Sequence, residues 1–333
     1  MELGRVPLVS IGVPVFNGAS TLARALDNLL SQDYGNLEII ISDNASTDDT
    51  PHICEQYVRL DPRVRYYRAE RNFGAPWNFN RAFDLSSGEY FMWAAHDDER
   101  APSYVSACVE RLEQSPEAVL CQTHTVVLID DQVQPLCIWR LDTFEAATSL
   151  VDRYRETLRR LPATAIYGVF RSSAMRRTKR FQRVIGSDHA FMEELSIHGH
   201  FVQVPRTLFR YWGRAEWNTI DQDARGWLGV SRKPWWYVPF FMVFLNRCSR
   251  LIHAPIPAAM KVRLSFVLAS HQARQAVFRL VLKIGRVFCP ERQKERLARA
   301  IYRRWLDNPN IETTCTDAYF FERVCKPQVG WWK

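Results

Sequence analysis

The first 125 residues alternate between short apolar runs and segments with apolar residues at helical spacing, and this alternation restricts the fold more than any other feature. The segment that Ser20 would cap, for example, places Leu22, Ala25, Leu26 and Leu29 on one helix face. Strands that alternate with helices pair mainly in parallel, with helices on both faces of the sheet. We therefore predict an α/β fold with a mainly parallel, doubly wound sheet, with strands at 8–13, 37–42, 64–67 and 90–95 and helices at 20–30, 47–59, 77–85 and 102–113.

The alternation becomes less regular after residue 125, and this change predicts the domain organisation. We expect one domain over 1–230, divided at about residue 125 into two halves, and a helical, basic C-terminal region over 231–333. Within the second half, the pattern predicts strands at 126–130, 167–170 and 201–204 and helices at 145–160 and 189–198.

Composition excludes several classes of protein. The 333 residues are 47% apolar, which is typical of a globular chain, and the eight cysteines include no Cys-x-x-Cys pair, which argues against a zinc ribbon or a disulfide scaffold. The first residues do not resemble a signal peptide, and no apolar run approaches the roughly 20 residues of a spanning helix. We therefore expect a cytoplasmic protein.

Charge is distributed unevenly along the chain. The net charge is +8, but the segment 247–304 holds 14 basic and 2 acidic residues, net +12, which leaves net −4 for the remainder. Such asymmetry indicates an anionic partner for the C-terminal region, either a membrane surface or nucleic acid.

Polar side chains follow three of the predicted strands directly. Asn17 and Asp43 follow the first two strands, and Asp97 and Asp98 follow the fourth, in the stretch AAHDDER. Because ligands of such sheets bind beyond the carboxyl ends of the strands, we expect these residues to meet at one crevice. Adjacent carboxylates after a buried strand repel each other, so they require a positive partner.

The stretches VPVFN at 13–17, SDNASTD at 42–48 and HDD at 96–98 resemble family 2 glycosyltransferases, over roughly residues 7 to 210. The resemblance implies the GT-A fold and transfer of a sugar from a nucleotide-diphosphate donor to an acceptor hydroxyl, usually with inversion. It also implies a nucleotide-sugar half over 1–125, an acceptor half over 126–230, and a place in bacterial polysaccharide or glycolipid assembly.

For the nucleotide, the resemblance implies that Pro14, Phe16 and Asn17 line the base pocket and that Asp43 accepts a hydrogen bond from a base imide N–H. The alternative for Asp43 is the cap of a turn. The segment Arg71-Asn72-Phe73-Gly74 resembles the family's loop beside the donor, and the alternative is a simple helix start.

For the cation, the resemblance implies that Asp98 coordinates Mg²⁺ or Mn²⁺ and that Asp97 reaches toward the ribose or the metal. The alternative is a solvated acidic turn ahead of a helix. Many relatives carry a histidine that joins the metal site, whereas residues 209–214 read FRYWGR. This departure leaves the dependence on metal open.

For the acceptor side, Asp188 matches the family's catalytic base, with the N-cap of a helix as the alternative and with His189 and Glu193 as the nearest substitutes. Gly168 is a candidate for close approach to the sugar. Arg171 is a candidate for phosphate binding, or an ordinary exposed strand residue.

The C-terminal region allows two interpretations. An aromatic cluster at 235–241 and a basic amphipathic stretch at 277–286 are typical of an interfacial helix, which would place the protein on the inner face of the membrane near a lipid-linked or glycan acceptor. The alternative is a helical domain packed on the catalytic domain. Among other functions, a sugar nucleotidyltransferase lacks support because the first loop has no Lys or Arg, and a nucleic-acid-binding protein on an inactive GT-A fold leaves the ordered acids unexplained. We expect no nucleic acid partner.

Overall fold

The computed structural model of the protein describes residues 5–129, 137–213, 225–228, 230–232, 235, 238–288 and 311–313. The predictions for Trp236, Tyr237 and Arg214 lie outside these residues, as do the side chains of 278–288.

The first half of the chain folds as the alternation predicts. Strands β1, β2, β3 and β4 pair in parallel in the order β4-β1-β2-β3, and Val9 of β1 lies opposite both Leu37 and Tyr90. The elements are β1 Val9–Val15, α1 Ala19–Leu30, β2 Leu37–Asp43, α2 Thr50–Leu60, β3 Val64–Arg68, α3 Ala75–Asp84, β4 Tyr90–Trp93, β5 Glu99–Arg100 and α4 Tyr104–Glu113.

One helix start differs from the prediction. Gly18, not Ser20, is the N-cap of α1. The free N–H groups at the start of α1 find their acceptors in residues at the start of α2. Gly18 N–H donates to Thr50 Oγ1 at 3.0 Å, and Ala19 N–H donates to a carboxylate oxygen of Asp48 at 3.0 Å. The end of β1 is thereby tied to the loop after β2.

The second half extends the sheet with longer strands than the sequence predicts. The central β6 pairs in parallel with β9 and antiparallel with β7 and β8, and β8 joins β4, so that both halves form one sheet. Each antiparallel pairing covers only two or three residue pairs, so the sheet stays mainly parallel. The elements are β6 Ala118–Ile129, β7 Cys137–Trp139, α5 Asp142–Glu145, α6 Leu150–Arg160, a 3₁₀ helix Ala163–Tyr167, β8 Val169–Arg171, α7 Ser172–Met175, α8 Ser187–His198 and β9 His200–Gly213.

Helices cover both faces of this sheet. Alternate residues of β4 enter two separate cores, with Met92 among the residues packed by α1 and α4 and with Phe91 and Trp93 among those packed by α3 and α8. The doubly wound α/β prediction is therefore confirmed.

The C-terminal region begins with two helices, α9 Pro239–His253 and α10 Ala258–Phe288, followed by the edge strand β10 Ile311–Thr313. Leu251 of α9 and Leu264 and Leu268 of α10 are buried with Tyr154 of α6 and Ile197 of α8. The first part of the region therefore packs on the preceding domain as a helical unit, which agrees with one of the two interpretations. Within the described part of the chain, none of the helices combines the length and apolar character needed to cross a bilayer.

Candidate functional site

The loops after β1 and β2 bind each other at the carboxyl end of the sheet. The N–H of Asn17 donates to Ser46 Oγ at 2.9 Å, and the N–H of Thr47 donates to Asn17 Oδ1 at 2.8 Å. Asn17 and Ala45 both adopt the left-handed backbone region, with φ of 54° and 63°. Non-glycine residues in this region cost conformational energy and cluster at functional sites.

The loop after β4 lies against the loop after β1. His96 Nδ1 lies 2.8 Å from Thr21 Oγ1, and a Cβ added at Gly18 would stand 3.2 Å from the His96 ring. The absence of a side chain at Gly18 thus lets the first and fourth strand ends approach closely. The structure brings the three loops together at one edge, as the sequence predicts.

Asp43 caps the turn after β2. Its Oδ1 accepts from Ser46 N–H at 2.8 Å and its Oδ2 accepts from Tyr66 O–H at 2.8 Å, while Arg68 Nε lies 3.6 Å away. The carboxylate is fully buried, at 0% exposure. The turn interpretation is therefore confirmed, and any contact between Asp43 and a base requires Tyr66 or Arg68 to move.

The other predicted nucleotide residues divide into buried and exposed ones. Pro14 is buried inside β1 opposite Ser42, so it shapes the strand that leads to the predicted pocket and adds little exposed surface there. Phe16 is 44% exposed and Asn17 is exposed beside it. An exposed aromatic ring at the strand end is suited to stacking on a base.

The loop at 71–74 is fastened to the β2 end through Asn44. Asn44 donates to Asn72 Oδ1 at 2.9 Å and accepts from Phe73 N–H at 3.0 Å, and Gly74 has φ of 89°, which requires glycine. Asn72 and Gly74 therefore build the loop, whereas the exposed Arg71 stacks on Phe73 with its guanidinium 4.8 Å from the ring centre.

Asp98 is a buried carboxylate with one oxygen unused. It is 2% exposed, its Oδ1 accepts from the N–H of Trp212 at 3.0 Å, and its Oδ2 has no hydrogen-bond donor among the described residues. Burial raises the pKa of Asp98 to about 7, against the opposing charge of Arg100. The interpretation of this segment as a solvated acidic turn is wrong for Asp98.

Arg100 is a buried cation to which the sequence patterns assigned no role. Its guanidinium lies 4.6 Å from the ring centre of Phe209 and 5.5 Å from that of Tyr104, and it donates to the carbonyl of Trp93 at 3.1 Å. Aromatic faces stabilise a desolvated guanidinium. In the two-residue strand β5, Arg100 takes the inward position and Glu99 the outer one, and two residues are too few to show this alternation in the sequence.

Asp97 and Glu99 lie in a more open environment. Arg24 donates to the Asp97 carbonyl at 3.3 Å and lies 3.6 Å from Glu99, which also lies 3.7 Å from Arg210. Glu99 is thus held in ion pairs and is not at a helix start.

The residues at this strand end supply some, but not all, of the ligands that a divalent cation needs. The unused Oδ2 of Asp98 and the neighbouring Asp97 offer hard oxygen ligands of the kind that Mg²⁺ and Mn²⁺ take. Across the described ranges, no cluster of three or more histidine, cysteine or acidic side chains has metal-binding geometry. A cation here would therefore need further ligands from the donor and from water.

Asp188 lies in the first turn of α8. The N-cap is Gly186, in the left-handed region with φ of 70°, so the interpretation of Asp188 as the N-cap is wrong. Its Oδ1 is buried without a hydrogen-bond partner among the described residues, although the residue as a whole is part-exposed. One turn further on, Phe191 packs on Trp93 with ring centres 5.6 Å apart, which sets α8 beside the end of β4.

Three other predictions for the acceptor side are corrected. Glu193 is buried in an ion pair with Arg247 at 2.6 Å, so it lies in the contact between α8 and α9 and not at the part-exposed first turn of α8. Arg171 donates to the carbonyls of Ala118 and Leu112, which rules out the phosphate interpretation. A Cβ at Gly168 would stand 2.7 Å from the carbonyl oxygen of Cys121, so this glycine serves packing against β6.

Comparison with known proteins shows the family to which the chain belongs. The model of glycosyl transferase family 2 matches residues 10–182, which run from the second residue of β1 past β8 and include the loops after β1, β2 and β4. The chain belongs to this family.

The structural comparison agrees with the GT-A fold. The chain superimposes on a TarS fragment from S. aureus in complex with UDP at a TM-score of 0.60 and 15% identity, covering 88% of this chain and 78% of that one. It also superimposes on the mannosyltransferase PcManGT from Pyrobaculum calidifontis, in complex with GDP-Man and Mn²⁺, at a TM-score of 0.50 and 16% identity, covering 98% and 88% of the two chains. At these identities the likeness concerns the fold alone.

Among curated relatives, a GalNAc(5)-diNAcBac-PP-undecaprenol beta-1,3-glucosyltransferase from Campylobacter jejuni is 32% identical over 111 residues. The match covers 33% of this chain and 36% of the relative. The chain therefore aligns with only about a third of that protein's length.

Proposed function

We propose that this family 2 protein is an inverting glycosyltransferase that moves a sugar from a nucleotide-diphosphate donor to an acceptor hydroxyl with the help of Mg²⁺ or Mn²⁺. The observation that carries the proposal is Asp98, a buried carboxylate with an unused oxygen at the edge where three strand-end loops meet. A buried polar atom without a partner is costly, so its persistence favours a ligand.

We propose that the nucleotide binds between the loops after β1 and β2. Phe16 offers an exposed ring for the base, and Asn17 lies beside it. Asp43 would accept the imide N–H after displacement of Arg68, whose side chain is 52% exposed and therefore movable. Arg71, exposed on the adjoining loop, would face the diphosphate, because a guanidinium forms paired hydrogen bonds with phosphate oxygens.

We propose that Asp98 holds the cation through Oδ2 and that Asp97 assists it or contacts the ribose. A bound cation would offset the negative charge of the diphosphate leaving group. The N–H of Trp212 in β9 holds the Oδ1 of Asp98, and the charge of Arg100 in β5 favours the ionised carboxyl. The β5–β9 pairing fixes both strands. Because the described ligands are few, the donor phosphates and water complete the coordination in this proposal.

We propose Asp188 as the base that deprotonates the acceptor hydroxyl. Its Oδ1 is buried and unpartnered, and Phe191 on the next turn contacts Trp93 at the end of the strand that leads to Asp98. In an inverting transfer one carboxylate suffices, because the hydroxyl attacks the anomeric carbon directly as its proton moves to the base.

For the acceptor, we propose a glycan or a lipid-linked sugar of polysaccharide or glycolipid assembly, met by a cytoplasmic protein in peripheral contact with the membrane. The relative from Campylobacter jejuni, whose name includes an undecaprenol-linked acceptor, supports this class. We also propose 1–230 as the catalytic domain and 231–333 as its basic extension.

Calorimetric titration with UDP, GDP and dTDP, each with and without Mn²⁺, tests the proposal. We expect one nucleotide to bind, with metal-dependent affinity that Asp98→Asn abolishes. Asp188→Asn should keep donor binding and lose sugar transfer. Asp33→Asn, at an exposed acid after α1, is the matched control and should change neither. No binding of any of the three nucleotides, or full transfer by Asp188→Asn, would contradict the assignment.

A further inference from the structure

The outward faces of α9 and α10 carry a concentration of exposed apolar side chains. Of the thirteen large apolar side chains that are exposed among the described residues, six lie on these two helices. Their spacings place them on one face of each helix. We call this the outer apolar face, formed by Phe241, Leu245 and Ile252 on α9 and Val262, Phe266 and Val277 on α10.

Exposure of these residues is substantial. Phe266 is 70% exposed and Ile252 is 65% exposed, whereas the buried faces of the same helices hold Leu251, Leu264 and Leu268 at 2% or less. Apolar side chains that are exposed singly are normal on a protein surface, whereas a group of them on two helices that pack on each other indicates an interaction site.

The sequence of these two helices and of the segment before them carries charge of one sign. From residue 225 to residue 288 the sequence contains eleven basic residues and no acidic residue. Two of the eleven, Arg247 and Arg250, are turned inward in ion pairs with Glu193 and Glu194. Arg263 and Arg274 are exposed on α10 itself, next to the apolar residues.

A pair of helices that exposes apolar side chains together with arginines matches an anionic bilayer best among the surfaces a protein meets. A second copy of this chain would place basic faces against each other, and nucleic acid would leave the aliphatic side chains without a partner. A helix that lies in the interface buries its apolar side among the acyl chains and holds Lys and Arg at the headgroups. With 31 residues, α10 is about 46 Å long, enough for an extended contact in the plane of the bilayer.

The opposite side of α9 packs on α8, next to the candidate base. Arg247 pairs with Glu193 at 2.6 Å, and a Cβ at Gly186 would stand 3.9 Å from Val243. Gly186 is the N-cap of the helix whose first turn holds Asp188. The helix that would rest on lipid is therefore in direct contact with the acceptor side of the site.

We propose that the outer apolar face of α9 and α10 docks on an anionic lipid bilayer, and that the acceptor is carried by a lipid of that bilayer. The second clause rests on the proposed function, and the first does not. The docking would leave the helices in the plane of the surface, with α8 on the side away from the lipid.

Vesicle co-sedimentation of the full chain tests the docking. The probes are phosphatidylcholine vesicles with and without phosphatidylglycerol. We expect binding to the anionic vesicles that weakens as salt is added. Phe266→Ser should weaken this binding by about tenfold or more. The reason is that the Phe ring leaves water for the acyl chains on binding, whereas a Ser side chain gains nothing from that transfer.

Leu60→Ser is the matched control, since Leu60 is 75% exposed on α2 and does not belong to the outer apolar face. It should bind vesicles like the wild type. Equal binding by the two variants, or no binding of the full chain to anionic vesicles, would overturn the docking. So would light scattering that shows a dimer in the wild type and a monomer in Phe266→Ser, since the face would then be covered by a second copy.

The test is separate from the test of the transferase. Asp98→Asn should bind vesicles like the wild type while failing to bind donor. A protein that binds vesicles but no nucleotide would keep the docking and reject the proposed function. Transfer to a soluble sugar acceptor at the same rate with and without vesicles, and none to a lipid-linked one, would reject the lipid-borne acceptor alone.

Discussion

Replacement of Arg250 with methionine should lower the free energy of unfolding by about 3 to 5 kcal/mol, because it leaves a buried carboxylate without its counter-charge. Arg250 and Glu194 pair across the contact between α9 and α8, with side chains only 3% and 6% exposed. Arg250 also donates to the carbonyl of Arg180 at 2.6 Å and to Asn246 Oδ1 at 2.9 Å. Burial raises the pKa of Glu194 and lowers the pKa of Arg250, and in each case the charge of the partner opposes the effect of burial.

The loss should depend on pH in a defined direction. Without Arg250, the pKa of Glu194 in the folded protein rises further above its value in the unfolded chain, because the largest remaining influence is burial. The folded variant then binds a proton that the unfolded chain releases, so its stability increases as pH falls. Urea unfolding of the variant and the wild type should show a larger difference at about pH 8 than at about pH 5.

Two further variants make the prediction specific. Arg5→Met removes the same kind of side chain from an exposed pair with Glu89, where the exposures are 84% and 51%, and should cost under about 1 kcal/mol. Arg250→Met combined with Glu194→Gln removes both charges and should recover much of the lost stability. A loss below about 1 kcal/mol for Arg250→Met, or one that is independent of pH, would refute the reasoning.

Two predictions concern packing and protonation elsewhere. Gly168→Ala should destabilise by about 1 to 3 kcal/mol in urea unfolding, because its Cβ would meet the Cys121 carbonyl, whereas Gly35→Ala, with open space around it, should not. Burial lowers the pKa of His198 to about 4, so the unfolded chain binds a proton first and stability falls as pH drops from about 6.5 to 4. His198→Gln should remove about 1 to 2 kcal/mol of that fall, after allowance for solvent screening, in urea unfolding measured across this pH range.

The parallel half of the fold could be predicted because each element shows its own periodicity. The predicted strand 37–42 matches β2, Leu37–Asp43, with a difference of one residue, since its run of apolar residues is buried on both faces. Helix ends were less predictable. α1 begins at Ala19 because Thr50 and Asp48, about thirty residues later, accept its free N–H groups, and local sequence carries no sign of this.

The strand β6 was predicted only at its end because its middle is polar. Gln122, Thr123 and Thr125 are all buried, and Gln122 donates to Thr125 Oγ1 at 3.2 Å. Buried polar residues that form hydrogen bonds with each other inside a sheet interrupt the alternation of apolar residues from which a strand is predicted. The pairing of β6 with β9 joins segments about eighty residues apart, and no local rule specifies it.

At the site, the residue types were predictable but their surroundings were not. The stretch at 96–98 identified Asp98, yet its burial depends on Trp212, which is 114 residues away, and on Arg100, whose cation is held between aromatic rings. Asp43 shows the reverse case, since its turn contact with Ser46 is local and could be predicted as an alternative. Sequence patterns identify groups that can do chemistry, and long-range contacts decide which of them are left with unused atoms.

The C-terminal region supports the site independently of any lipid. Its two inward arginines neutralise Glu193 and Glu194, and Arg250 lies 3.4 Å from the hydroxyl of Ser187, the residue before Asp188. Since Ser187 Oγ also accepts from Gln182 N–H at 2.6 Å, the first turn of α8 is fixed from both sides. The arginines of α9 thus fix the helix that carries the candidate base. The opposite face of α9 exposes Phe241 and Ile252. A variant of the outer face that loses vesicle binding should therefore keep the stability of the wild type, whereas Arg250→Met should impair stability and transfer together.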